Sequence, residues 1–182
     1  MRKSVVFASV AIAFLCQLAL IAKDAPKVEI FGGYQYQHRP GADFFKGWNA
    51  SVVGNVSDTF GIVADLGGSF KTVKASGISA DVTVYSLLFG PRFHSRYDSV
   101  TSFFHFLAGY SEISSSVDVS GFSGNVGASL GGFAMATGGG FDVNVSEKIA
   151  LRLMNADWMV SKINGCTKRG FRLSFGINFL IQ

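Results

Sequence analysis

Histidine and serine are the side chains in this sequence that could supply a general base and a nucleophile. The three histidines, His38, His94 and His105, lie on different segments, and their spacing matches no metal-ligand set. His94 and Ser95 are adjacent, so on a strand their side chains point to opposite faces and do not form a catalytic pair. The sequence therefore predicts no enzyme and no metal site, and it indicates no cofactor.

Six charged residues sit singly in the middle of otherwise uncharged segments: Glu29, Asp65, Arg92, Asp142, Arg152 and Arg172. The residues that share their face are mostly Gly, Ser, Asn and Gln. Both signs are present, and a buried charge without a partner costs several kcal/mol, so we expect these six side chains to pair. Two interpretations stay open: a structural ion-pair network that fills a narrow interior, or a gated path for protons or ions.

Eight segments could position these charges, because in each of them apolar and polar residues alternate as on the two faces of a β-strand. They span residues 28–37, 47–56, 60–70, 81–94, 101–112, 133–145, 148–160 and 171–179. Phe31 is an exception on the polar face of the first segment. The seventh loses phase near Met154-Asn155, where a bulge would turn Asp157 inward and Trp158 outward.

The links between the segments alternate between short and long. Residues 57–59, 95–100 and 145–148 form short links, and the long ones span 38–46, 71–80, 113–132 and 161–170. This alternation predicts an up-and-down antiparallel barrel with tight turns at one rim and long loops at the other.

The distribution of charge decides which face lines the interior. Lysines sit at segment ends or in links, whereas the apolar face is nearly free of charge and rich in aromatic residues. The sequence therefore predicts a transmembrane barrel with its apolar face in lipid; the alternative is a soluble periplasmic barrel or sandwich with that face inside and an apolar ligand. Near the segment ends we expect an interfacial aromatic girdle of Tyr34, Tyr36, Trp48, Tyr85, Phe93, Tyr110 and Trp158.

The N-terminus has the pattern of a signal peptide. Arg2 and Lys3 precede an apolar run over residues 5–22, and cleavage is predicted after Ala22 or Ala25. The predicted organisation is thus a signal peptide over 1–22 and a barrel domain over 23–182; an uncleaved anchor is the alternative. Removal of Arg2 and Lys3 leaves 14 basic against 12 acidic residues, too small an excess to indicate nucleic-acid binding. Cys166 is then a lone cysteine, which gives no disulfide.

Three stretches of this chain carry a family resemblance: Val28-Glu29-Ile30-Phe31-Gly32-Gly33-Tyr34, Gly47-Trp48-Asn49-Ala50-Ser51-Val52 and Phe89-Gly90-Pro91-Arg92. With the signal-like start, they resemble small bacterial outer-membrane barrels and are similar to the membrane domain of outer-membrane protein A. The resemblance implies an all-β fold of eight antiparallel strands in the outer membrane, with periplasmic turns and external loops.

The function that these observations favour is a non-enzymatic one, structural or in surface interaction, for a barrel whose lumen is plugged by polar and charged side chains. A narrow porin-like channel is the alternative within the membrane. Membrane lipid is the expected partner, and basic residues in the links could meet lipopolysaccharide phosphates or be ordinary solvated charges. These residues are Lys71, Lys74, Lys162, Lys168 and Arg169. The sequence names no surface partner.

Overall fold

A computed structural model describes residues 26–39, 42–75, 78–119 and 126–182. The predicted signal peptide over 1–22 and both candidate cleavage sites lie outside the described residues, so the division of the chain into 1–22 and 23–182 stays a prediction. Within the described ranges no helix is long and apolar enough to cross a membrane.

Eight antiparallel strands form one closed barrel in chain order, and β1 pairs with β8 to close it. The strands are β1 (Val28–Arg39), β2 (Ala42–Asn55), β3 (Phe60–Ala75), β4 (Ile78–Tyr97), β5 (Val100–Val119), β6 (Val126–Ser146), β7 (Ile149–Ile163) and β8 (Cys166–Ile181). The predicted number of strands, their order and the barrel closure are confirmed.

The two rims of the barrel differ. The lower rim holds the short connections after β2, β4 and β6, together with the first residue of β1 and the last of β8. We call the opposite rim the upper rim. In outer-membrane barrels as a class, the short turns face the periplasm and the opposite rim faces the outside of the cell.

The four long loops predicted for the upper rim are wrong, because strand continues through most of their residues. β4 and β5 each have 20 residues and β6 has 21. The β7–β8 connection is a two-residue turn of Asn164 and Gly165, both with positive φ, at 48° and 77°. Residues 40–41, 76–77 and 120–125 lie outside the described ranges.

Four of the strands project beyond the rest of the barrel. Residues 126–132 of β6 pair with β5 but not with β7, and residues 71–75 of β3 pair with β4 but not with β2, within the part of the chain that the structure describes. We call this sheet of residues 71–75, 78–84, 112–119 and 126–132 the extension. Its two edges, on β3 and β6, pair with no other strand of the described ranges.

The apolar face of the strands points outward. On β8, Phe175 and Ile177 are more than 40 % exposed, whereas Arg172 and Asn178 are buried. The alternative in which the apolar face lines the interior is therefore wrong. The predicted bulge in β7 is also confirmed: the β7–β8 register shifts between Arg152 and Asn155, Asp157 is buried, and Trp158 is exposed.

Candidate functional site in the barrel interior

The six charges singled out in the sequence all point into the barrel. Each is at most 4 % exposed, although they come from six different strands. Strand alternation places them there, because each has the opposite phase to the lipid-facing residues of its own strand. They divide into two clusters at different heights.

The lower charge cluster consists of Glu29, Arg92, Asp142 and Arg152. Arg152 donates from Nε and Nη2 to the two oxygens of Asp142, at 2.7 and 2.9 Å, which is a bidentate pair between neighbouring strands. Arg92 lies between the two carboxylates, with Nη1 3.8 Å from Glu29 Oε2 and Nη2 3.5 Å from Asp142 Oδ2. Asn178 Nδ2 donates to both carboxylates, at 3.2 and 3.1 Å.

Arg96, near the lower rim, completes this cluster. Its Nη2 lies 2.7 Å from Glu29 Oε1, and its Nη1 donates to the backbone carbonyl of Asp58 in the β2–β3 turn. A depression of about 360 Å³ opens beside it at the lower rim, with Glu29, Asp142 and Asn178 among its lining residues. The cluster therefore forms the inner wall of the lower mouth.

The upper charge cluster is built around Arg172, which bridges two carboxylates. Its Nη1 donates to Asp65 Oδ1 at 2.7 Å, and its Nε donates to Asp157 Oδ2 at 2.8 Å. His105 Nε2 lies 2.8 Å from the other oxygen of Asp157. Asn49 Nδ2 donates to Asp65 Oδ2 at 2.9 Å. His105 and Asn49 thus give each of the two carboxylates a further hydrogen-bond partner, as a buried ion pair requires.

Aromatic rings inside the barrel stack on the arginines of the lower cluster. The guanidinium carbon of Arg92 lies 3.6 Å from the centre of the Phe103 ring, and that of Arg152 lies 4.4 Å from the same ring. Arg152 also lies 4.2 Å from the ring centre of Phe31, the residue that broke the alternation of the first segment. Strand phase turns Phe31 and Phe103 inward, where their ring faces attract the guanidinium groups.

Two glycines of the run 138–140 make room for this interior. A Cβ on Gly138 would lie 2.4 Å from Asp157 Oδ1, and one on Gly140 would lie 2.8 Å from Cζ of Phe103. Both distances are shorter than real Cβ atoms show, so only glycine admits these neighbours at their present positions.

Part of the interior is apolar, which the sequence pattern did not predict. These inward residues form one buried cluster: Val53, Val63, Leu88, Leu107, Ala134, Ala136 and Met159. Above them, Gln35 Nε2 donates to Ser69 Oγ at 2.8 Å, and Ser69 Oγ donates to Gln37 Oε1 at 3.2 Å. The strand phase alone could have identified these inward apolar residues. Their residue types, however, are the same as those of the lipid-facing side.

The predicted girdle residues point outward at two heights. Tyr34, Trp48, Tyr85, Tyr110 and Trp158 are 43–53 % exposed towards the upper rim, and Tyr36 is half-buried there against Tyr34 and Phe175. Phe93 is 48 % exposed near the lower rim, where its ring contacts Phe60.

The remaining candidates do not converge on one site. His94 is buried in the interior, and neither ring nitrogen has a hydrogen-bond partner among the described residues; Ser95 is exposed on the other face. Among the basic residues, Lys162 and Arg169 share the outward face of neighbouring strands, whereas Lys71 lies 5.7 Å from the Phe45 ring centre. The side chain of Lys74 lies outside the described residues.

The solved structures with similar folds are outer-membrane barrels. The chain superposes on neisserial surface protein A with a TM-score of 0.63 at 15 % identity, over 85 % of this chain and 96 % of that one. It superposes on Ail, the attachment invasion locus protein of Yersinia pestis, with a TM-score of 0.58 at 17 % identity, over 84 % and 96 %. The chain has the fold of a small outer-membrane barrel.

A second structure of Ail, in complex with the heparin analogue sucrose octasulfate, gives a TM-score of 0.59 at 18 % identity over the same shares of the two chains. No family model and no curated protein sequence matches the chain. The predicted fold class and the resemblance to small outer-membrane barrels are thus confirmed at the level of the fold.

Proposed function

We propose that this chain is a non-enzymatic integral protein of the bacterial outer membrane that acts in surface interaction. The observation that carries the proposal is the extension, a four-stranded sheet that continues past the outward-facing aromatic residues and whose two edges pair with no strand among the described residues. An unpaired edge presents backbone N–H and C=O groups, to which an extended segment of another protein can add as a further strand. The attachment named for Ail, a protein of the same fold, is consistent with this role.

The only cysteine after the predicted signal peptide allows a direct test of location and orientation. Cys166 is exposed at the start of β8, on the upper rim. Intact cells treated with a membrane-impermeant maleimide should label the wild-type protein in the outer-membrane fraction. A Cys166→Ser/Asp58→Cys variant moves the thiol to the lower rim and should label only after permeabilisation. The reverse pattern would contradict the orientation, and extraction by a carbonate wash would contradict membrane insertion.

We further propose that the interior clusters plug the barrel. Two clusters of paired charges fill the interior together with the two phenylalanine rings on the lower arginines and an apolar cluster. An eight-stranded barrel has room only for side chains. In planar bilayers we expect no steady conductance from the wild-type protein. Steady single-channel currents would instead support the narrow-channel alternative.

The outward basic residues are proposed to contact lipopolysaccharide phosphates. Lys162 and Arg169 face outward on β7 and β8, next to Trp158 and Phe171, which is the height at which phosphates of the outer leaflet lie. The sulfated saccharide bound to Ail is likewise a polyanion. A Lys162→Ala/Arg169→Ala variant should associate less with lipid A vesicles at low salt, and unchanged, salt-independent association would contradict the contact.

A further inference from the structure

The outer face of the extension is polar, although the same face is apolar within the barrel. On β4, Tyr85 and the residues below it turn their apolar side chains outward, but Asp81 and Thr83 occupy the outer face above it. Val84 lies on the inner face of the extension and is only 3 % exposed. On β5 the outer face changes from apolar to polar at the same height, where Ser114 points outward.

The pairing registers align these outer residues into two rows across the sheet. Thr83, Ser114 and Ser129 lie side by side on β4, β5 and β6. One step higher, Thr72, Asp81 and Ser116 lie side by side on β3, β4 and β5. The two rows thus present five hydroxyls and the Asp81 carboxylate within a small area. Glu112, two residues before Ser114 on the same face, adds a second carboxylate, which accepts a hydrogen bond from Ser114 Oγ at 3.4 Å.

A shallow depression of about 310 Å³ lies on this face, and its lining includes Asp81, Thr83, Ser114, Ser116 and Ser129. Its volume is at the lower end of the size range of ligand pockets, about 300–1,000 Å³. Thr72 Oγ1 donates to Asp81 Oδ1 at 2.6 Å, which orients the carboxylate and leaves its second oxygen as an acceptor. Among the described side chains this face carries no lysine or arginine. Its chemistry therefore matches sugar hydroxyls and not phosphate or sulfate.

The depression lies directly above the outward-facing rings of Tyr85 and Tyr110. A Cβ on Gly131 would meet Tyr110 Oη, so the Tyr110 hydroxyl reaches up to the level of Glu112. Aromatic residues of this kind sit at the boundary between acyl chains and headgroups. A residue one or two strand positions higher therefore faces the headgroup layer.

We infer that the outer face of the extension binds the sugar units of the outer-leaflet glycolipid, lipopolysaccharide, through the hydroxyls of Thr83, Ser114 and Ser129 and the carboxylate of Asp81. This inference rests on the proposed outer-membrane location. It assigns sugar recognition to β3–β6 and leaves the phosphates to Lys162 and Arg169 on the opposite side of the barrel.

The test uses the full-length protein in phosphatidylcholine nanodiscs and two probes: dephosphorylated core oligosaccharide released from lipopolysaccharide, and lipid A. Thr83→Val/Ser114→Ala removes two hydroxyls with little change in volume. It should weaken binding of the oligosaccharide by about ten-fold, because two hydrogen bonds are lost. Thr167→Val is the matched control, since Thr167 is an exposed threonine of β8 on the opposite side.

Lipid A carries its phosphates on a glucosamine disaccharide, so its binding should fall most in Lys162→Ala/Arg169→Ala and less in Thr83→Val/Ser114→Ala. The inference is overturned if the dephosphorylated oligosaccharide does not bind, if Thr83→Val/Ser114→Ala binds it as the wild type does, or if Thr167→Val weakens it equally. A heat-modifiability gel shift confirms that each variant is folded. Because the cysteine-labelling experiment reports location independently, a failure here leaves the proposed function standing.

Discussion

Arg172 on β8 donates to Asp65 on β3 across the interior of the barrel at 2.7 Å, although 107 positions separate the two residues in the sequence. The same guanidinium donates to Asp157 on β7. One side chain thus joins two carboxylates from strands that do not neighbour each other, since β3 and β7 are four strands apart in the barrel.

Arg172→Ala should lower the stability of the barrel by about 3–5 kcal/mol, because it leaves two buried carboxylates without their shared cation. The measurement is urea unfolding in lipid vesicles, followed by tryptophan fluorescence. Arg169→Ala, three residues earlier and exposed, should change stability by less than about 0.5 kcal/mol. Arg92→Ala should resemble Arg172→Ala; unchanged midpoints for both would remove the interior network as a source of stability.

Phe103→Leu tests the stacking of rings on the buried arginines. The substitution keeps an apolar side chain but removes the ring between Arg92 and Arg152, and we expect a loss of about 2 kcal/mol. Phe104→Leu is the neighbouring change on the lipid face, where Phe104 is 45 % exposed, and it should cost less. Equal effects in the same unfolding assay would show that the two arginines gain nothing specific from Phe103.

Gly138→Ala should destabilise the barrel, since the added methyl would lie 2.4 Å from Asp157 Oδ1 and 2.1 Å from a backbone oxygen. Gly32→Ala provides the comparison, because no described atom lies within 4 Å of a Cβ at that position. There the smaller entropy of the unfolded chain should raise stability by about 0.4–1 kcal/mol. Effects of the same sign at both glycines would contradict the crowding of β6 against β7.

Gly165→Ala should weaken the β7–β8 hairpin by about 1–2 kcal/mol, because Gly165 has a φ of 77° and an L-residue is strained there. Both central residues of this turn have positive φ, as a type I′ hairpin requires. The readout is the folding yield into vesicles together with the unfolding midpoint. A variant that folds and unfolds like the wild type would argue against this turn.

Trp48 and Trp158 are the two tryptophans of the chain, and both face outward near the upper rim. In vesicles, lipids brominated near the headgroup should quench their fluorescence more than lipids brominated near the chain ends. Stronger quenching from the bilayer centre would contradict the girdle at this height.

The strand phases were predictable, whereas the strand ends were not. Alternation located all eight strands and the bulge that turns Asp157 inward, because a lipid-facing side must stay apolar residue by residue. Above Tyr85 the outer face no longer contacts hydrocarbon, and polar residues occupy it. On β5, Ile113 takes the inner face and Ser114 and Ser116 take the outer face, so the pattern of an apolar outer face does not continue beyond residue 112.

The interior was predictable in its charges but not in its partners. Mid-strand charges such as Asp65 and Arg172 stood out by type, while their pairing depends on the stagger of the strands around the barrel. Phe103 gave no signal, since an aromatic residue is expected on the lipid face. The Asn164-Gly165 pair, in contrast, is a strong sequence signal for a tight hairpin turn. It lies within residues 161–170, which were predicted to form a long loop.

The change of polarity above Tyr85 also sets how deep the protein sits. If the barrel sank towards the periplasm, Asp81 and Thr83 would enter hydrocarbon; if it rose, Tyr85 and Tyr110 would leave it. Either displacement carries a free-energy cost, so this polarity boundary on β3–β6 holds the protein at one depth in the bilayer. Any headgroup bound there would be held at a constant height relative to the projecting strand edges.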